Sequence, residues 1–414
     1  MSLAVDIAEL PALKRDLRRA ESRRRWLAMG MVAPLFLFLI LTFALPILDM
    51  LRRAAADTDL STAMPAFAEA VRGWDRQSEP SEALYAALGR GLKAAEAARN
   101  LAIAARRVNY ALPHGRSLVM STGRALRSLA AEPASWRDTL IGIDPAWGER
   151  RSWIALAHAA GPLTDFYLLA ALDLERDTAN RIVDKPPGDR LFRQVLARTF
   201  GVSLAVTVLC LLLGFPVAYL IATLPARTGN LLMVLVLLPF WTSLLVRSAA
   251  WIVLLQDQGL INQILQASGL TDAPIRMIFN RTGVIIAMTH VLLPFMIMPL
   301  IASMKAIPPT YLRAAISLGA HPAIAFLRVY LPLTLPGMTA GALLVFIMAL
   351  GYYITPSLVG GADDQMLSYF IAFFTNSSAN WGLAAALSVL LLGTTLILYA
   401  VYSRLAGMGQ IKLG

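Results

Sequence analysis

Charged residues are scarce in this chain of 414 residues. Asp, Glu, Lys and Arg supply 15% of the sequence, whereas hydrophobic residues supply 57%. This balance excludes an ordinary soluble domain of this size and is typical of a membrane protein. Cysteine occurs only at Cys210, which excludes an intrachain disulfide and a metal site built from several cysteines.

Motifs for catalysis and cofactor binding are also missing. The sequence has no GxxxxGK[ST] loop, so the chain is not predicted to bind ATP through a phosphate-binding loop. The four histidines are scattered without metal-ligand spacing, and no hydrolase, kinase or redox constellation is found. We therefore predict no enzymatic activity, no catalytic residue, no metal and no cofactor in this chain.

Long apolar segments are what the sequence has instead. Each is long enough to cross a hydrocarbon core of about 30 Å as a helix. The first has too long an apolar run for a signal peptide, so we interpret it as a membrane anchor. The predicted fold class is an all-α, multi-pass membrane protein with six transmembrane helices, at 26–48, 196–222, 231–254, 283–304, 333–354 and 380–402.

The distribution of charge predicts which face of the membrane is cytoplasmic. The net charge is +11, but the basic residues are not clustered with aromatic residues, which argues against a nucleic-acid partner. Loops 223–230 and 305–332 contain basic residues and no acid, whereas loop 355–379 contains two acids and no base. The positive-inside rule therefore predicts cytoplasmic N- and C-termini and a cytoplasmic loop 305–332. The N-terminal segment 1–25 adds seven basic residues close to the first apolar segment: Lys14, Arg15, Arg18, Arg19, Arg23, Arg24 and Arg25.

A long segment separates the first and second apolar runs. Residues 49–194 contain 20 basic and 18 acidic residues, and long segments are translocated largely regardless of charge. Its alanine-rich stretches predict helices, as in Ser81–Ala98. Pro162 and the acidic residues Asp165 and Asp173 argue against a seventh span within this segment. We predict an external helical insertion, and its residues leave open whether it caps the membrane core or contacts an external partner.

None of the six predicted spans has an Asp or Glu in its interior. Carriers driven by protons or sodium usually place ionisable or coordinating groups near the membrane midplane. The sequence therefore disfavours a stand-alone secondary carrier. A membrane-anchored sensor would need a cytoplasmic output domain, and none is visible.

Four residues are candidates for a transport pathway: Trp241, Arg247, Tyr352 and Tyr353. Arg247 is the only charged residue well inside a predicted span, which makes it either functional or a side chain that extends toward the outer surface. The three aromatic residues are equally compatible with ordinary packing. We interpret His290 as a packed core histidine, and the GxxxG pattern at Gly337–Gly341 as a site of internal helix packing rather than of dimerisation.

The stretch Pro308–Pro332 lies between two apolar segments and contains three basic side chains. Prolines favour helix starts at 308–309 and at 322, and Gly319 favours a helix end, so the stretch predicts two short helices. A polar helical hairpin between two spans is a natural docking surface for a soluble partner such as a separate ATPase.

This hairpin resembles the coupling motif of the permease subunits of bacterial binding-protein-dependent ABC importers. The family pattern is Glu-Ala-Ala, three residues, Gly-Ala, and then an aromatic residue and Leu-Pro. The resemblance implies that the hairpin lies in a groove of the ATP-binding subunit and transmits its closure. Arg313 stands where the family usually has an acid, and we expect a compensating acid on the ATPase. The matching residues of this sequence are Arg313, Ala314, Ala315, Gly319, Ala320, Phe326 and Pro332.

The resemblance extends over about 190–414 and is closest to the spermidine/putrescine-type branch, through stretches such as LPFWTSLLVRSAAW at Leu238–Trp251 and PLTLPGMTAG at Pro332–Gly341. It covers residues 49–194 poorly. It implies a permease of the type I importer fold in a bacterial inner membrane, surrounded by lipid. The implied partners are two ATP-binding subunits holding ATP and Mg, a second permease that is homologous or identical, and a periplasmic solute-binding protein. A polyamine is the leading solute, and another small amine, an amino-acid-like compound or an opine-like compound is the rival.

Overall fold

The computed structural model describes residues 10–408 apart from Ala130 and Thr178. Described side chains run from Glu21 to Arg404, without Arg23 and those two residues, so most of the predicted basic N-terminal cluster lies outside them. Packing divides the chain into two units at Arg53. The first unit is one helix from Leu10 onward, with a π-turn at Ile40–Ala44. Pro46 explains this turn, because its missing N–H leaves the carbonyl of Thr42 without its usual partner.

The described residues contain six helices that are long and apolar enough to cross a membrane, as the sequence predicts. Two shorter apolar helices, Ala226–Trp241 and Leu367–Asn376, accompany them. We number the six in chain order as the first to sixth membrane helices: Arg24–Ala55, Phe192–Thr223, Leu244–Ala267, Arg281–Lys305, Pro322–Leu350 and Trp381–Arg404.

The predicted third span at 231–254 is wrong. A helix at Ala226–Leu237 gives way to a 3-10 turn at Leu238–Trp241, and a new helix runs over Leu244–Leu255. After a short turn, the third membrane helix continues as Leu260–Ala267. Pro239 cannot donate a backbone hydrogen bond, and the hydroxyl of Ser243 caps the new helix by accepting a bond from Val246 N at 3.2 Å. Mean hydropathy does not register such a break, since both halves are apolar.

The second, fourth and fifth membrane helices form the centre of the membrane core. Cys210, Met288, Met296 and Val345 are fully buried there. The GxxxG prediction of internal packing fits this arrangement: a Cβ at Gly337 would lie 2.4 Å from Ser303 Cβ, and one at Gly341 would lie 2.8 Å from Met296 Sδ. Both glycines thus let the fifth helix approach the backbone of the fourth.

The insertion between the first and second membrane helices is helical, as predicted, and it has its own core. Trp147 and Trp153 are fully buried at its centre. Trp147 Nε1 donates to Thr122 Oγ1 at 2.9 Å, and Trp153 Nε1 donates to Trp147 O at 2.8 Å, so neither indole leaves a polar atom unpaired. Its α-helices are Asp59–Ala63, Pro65–Arg72, Glu82–Ala97, Leu101–Ala111, Gly115–Arg127, Trp136–Ile143, Arg150–Ala159 and Phe166–Ala171.

The described part of the fold is helical, as predicted, apart from one short pair of strands. Strands Leu174–Arg176 and Ile182–Asp184 form an antiparallel pair in which Glu175 lies opposite Val183. This hairpin leads into a 3-10 turn at Pro187–Asp189 and then into the second membrane helix.

Asp173 connects the insertion to the start of the second membrane helix. Its buried carboxylate accepts three backbone hydrogen bonds, from Leu191 N at 3.1 Å, Phe192 N at 3.0 Å and Arg193 N at 2.7 Å. These are N–H groups that the helix itself cannot satisfy, so a residue from the insertion caps a membrane helix.

The loops predicted to be external meet at one end of the membrane core. Arg281 Nε lies 3.2 Å from Asp364 Oδ1, and the guanidinium of Arg198 donates to the carbonyl of Asp363. Phe279 N also donates to Val359 O at 2.8 Å. The N-terminal ends of the second and fourth membrane helices therefore contact the loop that follows the fifth membrane helix.

Candidate functional site

The predicted hairpin at 305–332 is present, with one correction. Its first helix is Pro309–Ser317. Its second helix is not short, because Pro322–Ala325 continues through a π-turn at Phe326–Tyr330 into Leu331–Leu350. Pro332 does not end this helix, because the π-turn that precedes it accommodates the backbone hydrogen bond that proline cannot donate. The hairpin is thus one short helix followed by the N-terminal end of the fifth membrane helix.

Gly319 ends the first helix as the sequence predicts. Its φ of +90° is a left-handed conformation that favours glycine. Ala320 N donates to Ala315 O at 3.1 Å and Gly319 N donates to Ile316 O at 3.0 Å, which is the hydrogen-bond pattern of a Schellman cap. His321 Nδ1 then accepts a bond from Ala323 N at 3.3 Å and starts the next helix. The turn between the two helices is therefore fixed by backbone bonds at both ends.

Phe326 anchors the hairpin to the second membrane helix. Its ring packs edge-on against Phe215 and Tyr219, with ring centroids 6.3 and 5.6 Å away, and stacks on Tyr330 at 5.5 Å. Tyr219 also packs edge-on against Tyr330. Such aromatic contacts add to the stabilisation that burial gives. These contacts join the hairpin to the second membrane helix.

The remaining hairpin residues form an exposed surface. Arg313, Ala314, Gly319 and Pro332 are exposed, and Ala315 and Ala320 are half-buried. Large apolar side chains are exposed beside them, above all Leu318 at 89%. Exposed apolar surface combined with small residues is typical of a protein contact. The apolar members of this surface are Tyr311, Ile316, Leu318, Ile324 and Leu327.

Trp241 and Arg247 lie on either side of the break in the predicted third span. Trp241 ends the 3-10 turn and is 79% exposed in this chain. Arg247 is half-buried in the following helix, with Cζ 6.0 Å from the ring centroid of Phe240. Its Nε is buried and has no hydrogen-bond partner among the described residues. Interrupted helices at membrane depth occur where backbone lines a cavity or a protein contact, so this break is a candidate part of a pathway.

Tyr352 and Tyr353 lie in a second interruption, between Leu331–Leu350 and the short helix Ile354–Val359. Tyr352 is half-buried and Tyr353 is 40% exposed. Ser248 Oγ lies 3.0 Å from Thr355 Oγ1, so the structure brings the segment with Arg247 next to the segment with the two tyrosines.

Two polar contacts in this region were not predicted. Besides the Ser248–Thr355 pair, His290 Nδ1 accepts a hydrogen bond from Trp251 Nε1 at 3.2 Å. His290 is therefore hydrogen-bonded within the core, as interpreted from the sequence. The only sequence signal for these contacts is the presence of small polar residues in apolar helices, which does not identify their partners. Among the described residues, no group of three or more His, Cys, Asp or Glu side chains could hold a metal ion.

Comparison with known proteins identifies the family. No protein-family model matches the sequence. The chain is 37% identical over 220 residues to the spermidine/putrescine transport system permease protein PotB of Escherichia coli, and the match covers 52% of this chain and 80% of PotB. This chain belongs to the permease subunits of binding-protein-dependent ABC importers.

Two further similarities are found. The inner membrane ABC transporter permease protein YdcU of Escherichia coli is 32% identical over 226 residues, covering 50% of this permease and 69% of YdcU. A bacterial alginate ABC transporter solved with its periplasmic protein is 18% identical, covering 52% of this permease and 78% of that chain, with a TM-score of 0.42.

Family membership confirms the predicted protein class, a permease subunit of an ABC importer. It argues against the alternative of a stand-alone secondary carrier. The protein is a multi-pass inner-membrane permease subunit and not an enzyme, because ATP hydrolysis in such importers belongs to a separate subunit. An importer of this family also contains a second permease and a substrate-binding protein.

Proposed function

We propose that this permease forms one half of the transmembrane channel of an ATP-driven importer and couples ATPase closure to alternating access through the hairpin Pro308–Pro332. The complex would contain a second permease, homologous or identical, two ATPase subunits that hold ATP and Mg, and an external solute-binding protein. The anchoring of Phe326 between Phe215, Tyr219 and Tyr330 is the observation that carries the proposal.

The coupling step follows from how this hairpin is built. Its exposed surface offers apolar side chains and small residues to a partner, while its capped turn resists bending. Closure of the ATPases would move this surface, and the aromatic contacts of Phe326 would carry the movement to the second and fifth membrane helices. Because packed interfaces switch between discrete arrangements, a small shift at the hairpin can reorient whole helices.

The distribution of charge supports one orientation of the chain in the membrane. Arg313, Arg328 and Lys305 in the hairpin loop are exposed and have no acid in the same loop. At the opposite end of the core, Arg281 pairs with Asp364 and a long insertion joins the second membrane helix. This distribution favours cytoplasmic termini and a cytoplasmic hairpin. The sequence predicts the insertion at 49–194, whereas in the structure Ala55 and Phe192 bound it. The insertion would face the periplasm, where it either caps the core or contacts the binding protein.

A polyamine is the solute that we propose first. The relative PotB is named for spermidine and putrescine. Trp241, Tyr352 and Tyr353 lie at the two helix interruptions, and aromatic faces attract ammonium groups by about 0.5–2 kcal/mol each. In the described membrane helices, no acidic side chain near these residues adds to this attraction. We therefore expect the permease to let a polyamine pass rather than to bind it tightly.

Arg247 favours a second candidate, a small amine that also bears a carboxylate, such as an amino-acid-like or opine-like solute. Its Nε is buried without a partner among the described residues, and a guanidinium is suited to recognise a carboxylate in bidentate fashion. A polycation would be repelled at this position.

Transport into proteoliposomes tests the proposal. The permease would be reconstituted with its partner subunits and binding protein, and ATP-dependent accumulation of labelled spermidine and putrescine would be measured. We expect accumulation with active ATPase and none with an ATPase variant that binds but does not hydrolyse ATP. Uptake that is inhibited by carboxylated amines and not by putrescine would favour the second candidate. Uptake that persists without any ATPase would contradict the coupling proposal.

A further inference from the structure

A cavity of about 520 Å³ opens in the insertion, away from the hairpin and the candidate pathway. This volume lies within the range of about 300–1,000 Å³ that is usual for small-molecule sites. We call it the basal pocket. Its charged and polar lining consists chiefly of Arg72, Arg76, His158, Asp165 and Arg176, and Leu163 forms part of its apolar wall.

The basal pocket has an excess of positive charge. Arg176 donates to Asp165 Oδ2 from both Nε, at 2.9 Å, and Nη2, at 2.5 Å, so these two side chains neutralise each other. Arg72 is held by a hydrogen bond from its Nε to Ala160 O at 2.9 Å, and its side chain remains exposed. The described lining therefore retains two uncompensated guanidinium groups, those of Arg72 and Arg76.

His158 adds an unused hydrogen-bonding group to the basal pocket. Its Nε2 is buried and has no hydrogen-bond partner in the described part of the chain. Burial lowers the pKa of His158, and the nearby guanidinium groups of Arg76 and Arg176 lower it further, although Asp165 and the side chain of Asn180 oppose them. The imidazole is thus neutral at pH 7 and can donate from Nε2. An anion in the cavity would satisfy this nitrogen together with the two guanidinium groups.

The basal pocket lies where the insertion joins the membrane core. Asp165 and Leu168 of its lining flank Tyr167, which packs against Gly382 in the first turn of the sixth membrane helix. Leu163 is 75% exposed and provides an apolar edge beside the arginines. Guanidinium groups next to exposed apolar surface at the end of a membrane helix match the level of lipid headgroups.

We propose that the basal pocket binds a phosphate-bearing anion, and its position favours the headgroup of an acidic phospholipid as the source. Three donors converge on the cavity: the guanidinium groups of Arg72 and Arg76 and the imidazole of His158. A bound headgroup would fasten the insertion to the membrane beside the sixth helix.

Lipid retention by the full-length chain tests this proposal. Native mass spectrometry would compare bound phosphatidylglycerol with bound phosphatidylcholine after purification from mixed bilayers. We expect preferential retention of phosphatidylglycerol, reduced at least tenfold in the double variant Arg72→Gln and Arg76→Gln. His158→Gln, which keeps a side-chain donor, should reduce retention less. Arg151→Gln is the matched control, because it removes one exposed positive charge from the same helix as His158 outside the pocket.

A second arm separates lipid from soluble phosphate. Inorganic phosphate would be titrated into the chain in phosphatidylcholine nanodiscs and followed by calorimetry. Saturable phosphate binding that the double variant loses, without lipid selectivity, would keep the anion site and reject the headgroup as its source. Equal retention of both lipids together with no phosphate binding would overturn the proposal, as would an equal loss in Arg151→Gln. Unchanged thermal stability of each variant would establish that a loss of binding is local.

Discussion

The ring of Tyr167 lies directly over the backbone of Gly382. A Cβ on Gly382 would come within 2.4 Å of Tyr167 Cε2, and Tyr167 is only 4% exposed. Tyr167 is in turn backed by Arg107, whose Cζ lies 5.7 Å from its ring centroid and which pairs with Asp57 in the interior of the insertion. The insertion therefore packs against the sixth membrane helix through a contact that only glycine permits.

Gly382→Ala should weaken this contact between the insertion and the sixth membrane helix. The added methyl group would overlap the buried ring, and overpacking of this kind typically costs about 1–3 kcal/mol. We expect lower thermal stability and faster hydrogen exchange in Phe166–Ala171. Gly393→Ala is the control on the same helix, since a Cβ there meets no atom within 4 Å. The added Tyr167→Ala change should restore stability in part, and equal effects of the two glycine variants would argue against the contact.

Asp173→Ala should weaken the junction between the insertion and the second membrane helix. The change would leave three backbone N–H groups without their acceptor, and loss of a helix cap costs about 0.5–2 kcal/mol. Asp173 has a φ of +55°, a conformation that asparagine tolerates well. Asp173→Asn should therefore retain more of the stability than Asp173→Ala. Hydrogen exchange at Leu191–Arg193 is the measurement, and unchanged protection in the alanine variant would contradict the assignment of the cap.

Gly337→Leu should destabilise the membrane core. Gly337 lies against Ser303 and the carbonyl of Pro299, which is 2.9 Å from the position of a Cβ. A leucine would force the fourth and fifth helices apart, at a cost of about 1–3 kcal/mol or more. Ala340→Leu is the matched control, because Ala340 is exposed on the same helix. If the glycines served dimerisation instead, Gly337→Leu would leave the thermal stability of the isolated chain unchanged and reduce only its association.

Acid below pH 4 should weaken the packing of the insertion near Asp165. The hydrogen bonds from Arg176 hold the pKa of Asp165 below its usual value of about 3.9. Because the folded pKa is lowered, the pair stabilises the fold above about pH 4 and loses this contribution as pH falls through the folded pKa. We expect hydrogen exchange in Leu174–Asp184, corrected for intrinsic rates, to rise below pH 4. Asp165→Asn should show raised exchange at pH 6 and a weaker pH dependence, and an unchanged pH profile would exclude this pair as the cause.

The sequence predicts the apolar helices of this permease well and their interruptions poorly. Five of the six predicted spans match membrane helices, because long apolar runs are dictated by the thickness of the bilayer. The third fails because Pro239 can either kink a helix or end it, and the cap supplied by Ser243 decides between the two. A helix cap is a local signal, and it is a weaker predictor of helix bounds than the hydropathy of a long apolar run.

For the candidate sites, the sequence predicts positions but not contacts. The family motif locates Phe326, whereas its partners Phe215 and Tyr219 lie more than a hundred residues earlier and carry no motif. The contact of Tyr167 with Gly382 likewise joins segments far apart in the chain. Such pairs depend on the packing of complete helices, which a single sequence does not specify. Gly319 is the exception, because its role depends only on the local backbone.

Arg313 provides the sharpest test of the coupling proposal. It is exposed on the first helix of the hairpin, where the related motif usually has an acid, so Arg313→Glu restores the family's residue while reversing the charge. If the partner ATPase carries a compensating acid, the variant places like charges together. We then expect ATP-dependent uptake to fall about tenfold, which corresponds to roughly 1.4 kcal/mol at the contact.

The measurement is uptake in proteoliposomes together with the rate of ATP hydrolysis. Exchanging the facing acid of the ATPase for a base should restore uptake in the Arg313→Glu variant, since the pair is then reversed but complementary. Arg227→Glu is the control, because it reverses an exposed charge in another loop predicted to be cytoplasmic. Reduced uptake with unchanged thermal stability would place the defect at the docking surface rather than in folding. Full coupling in the Arg313→Glu variant would show that this charge takes no part in docking.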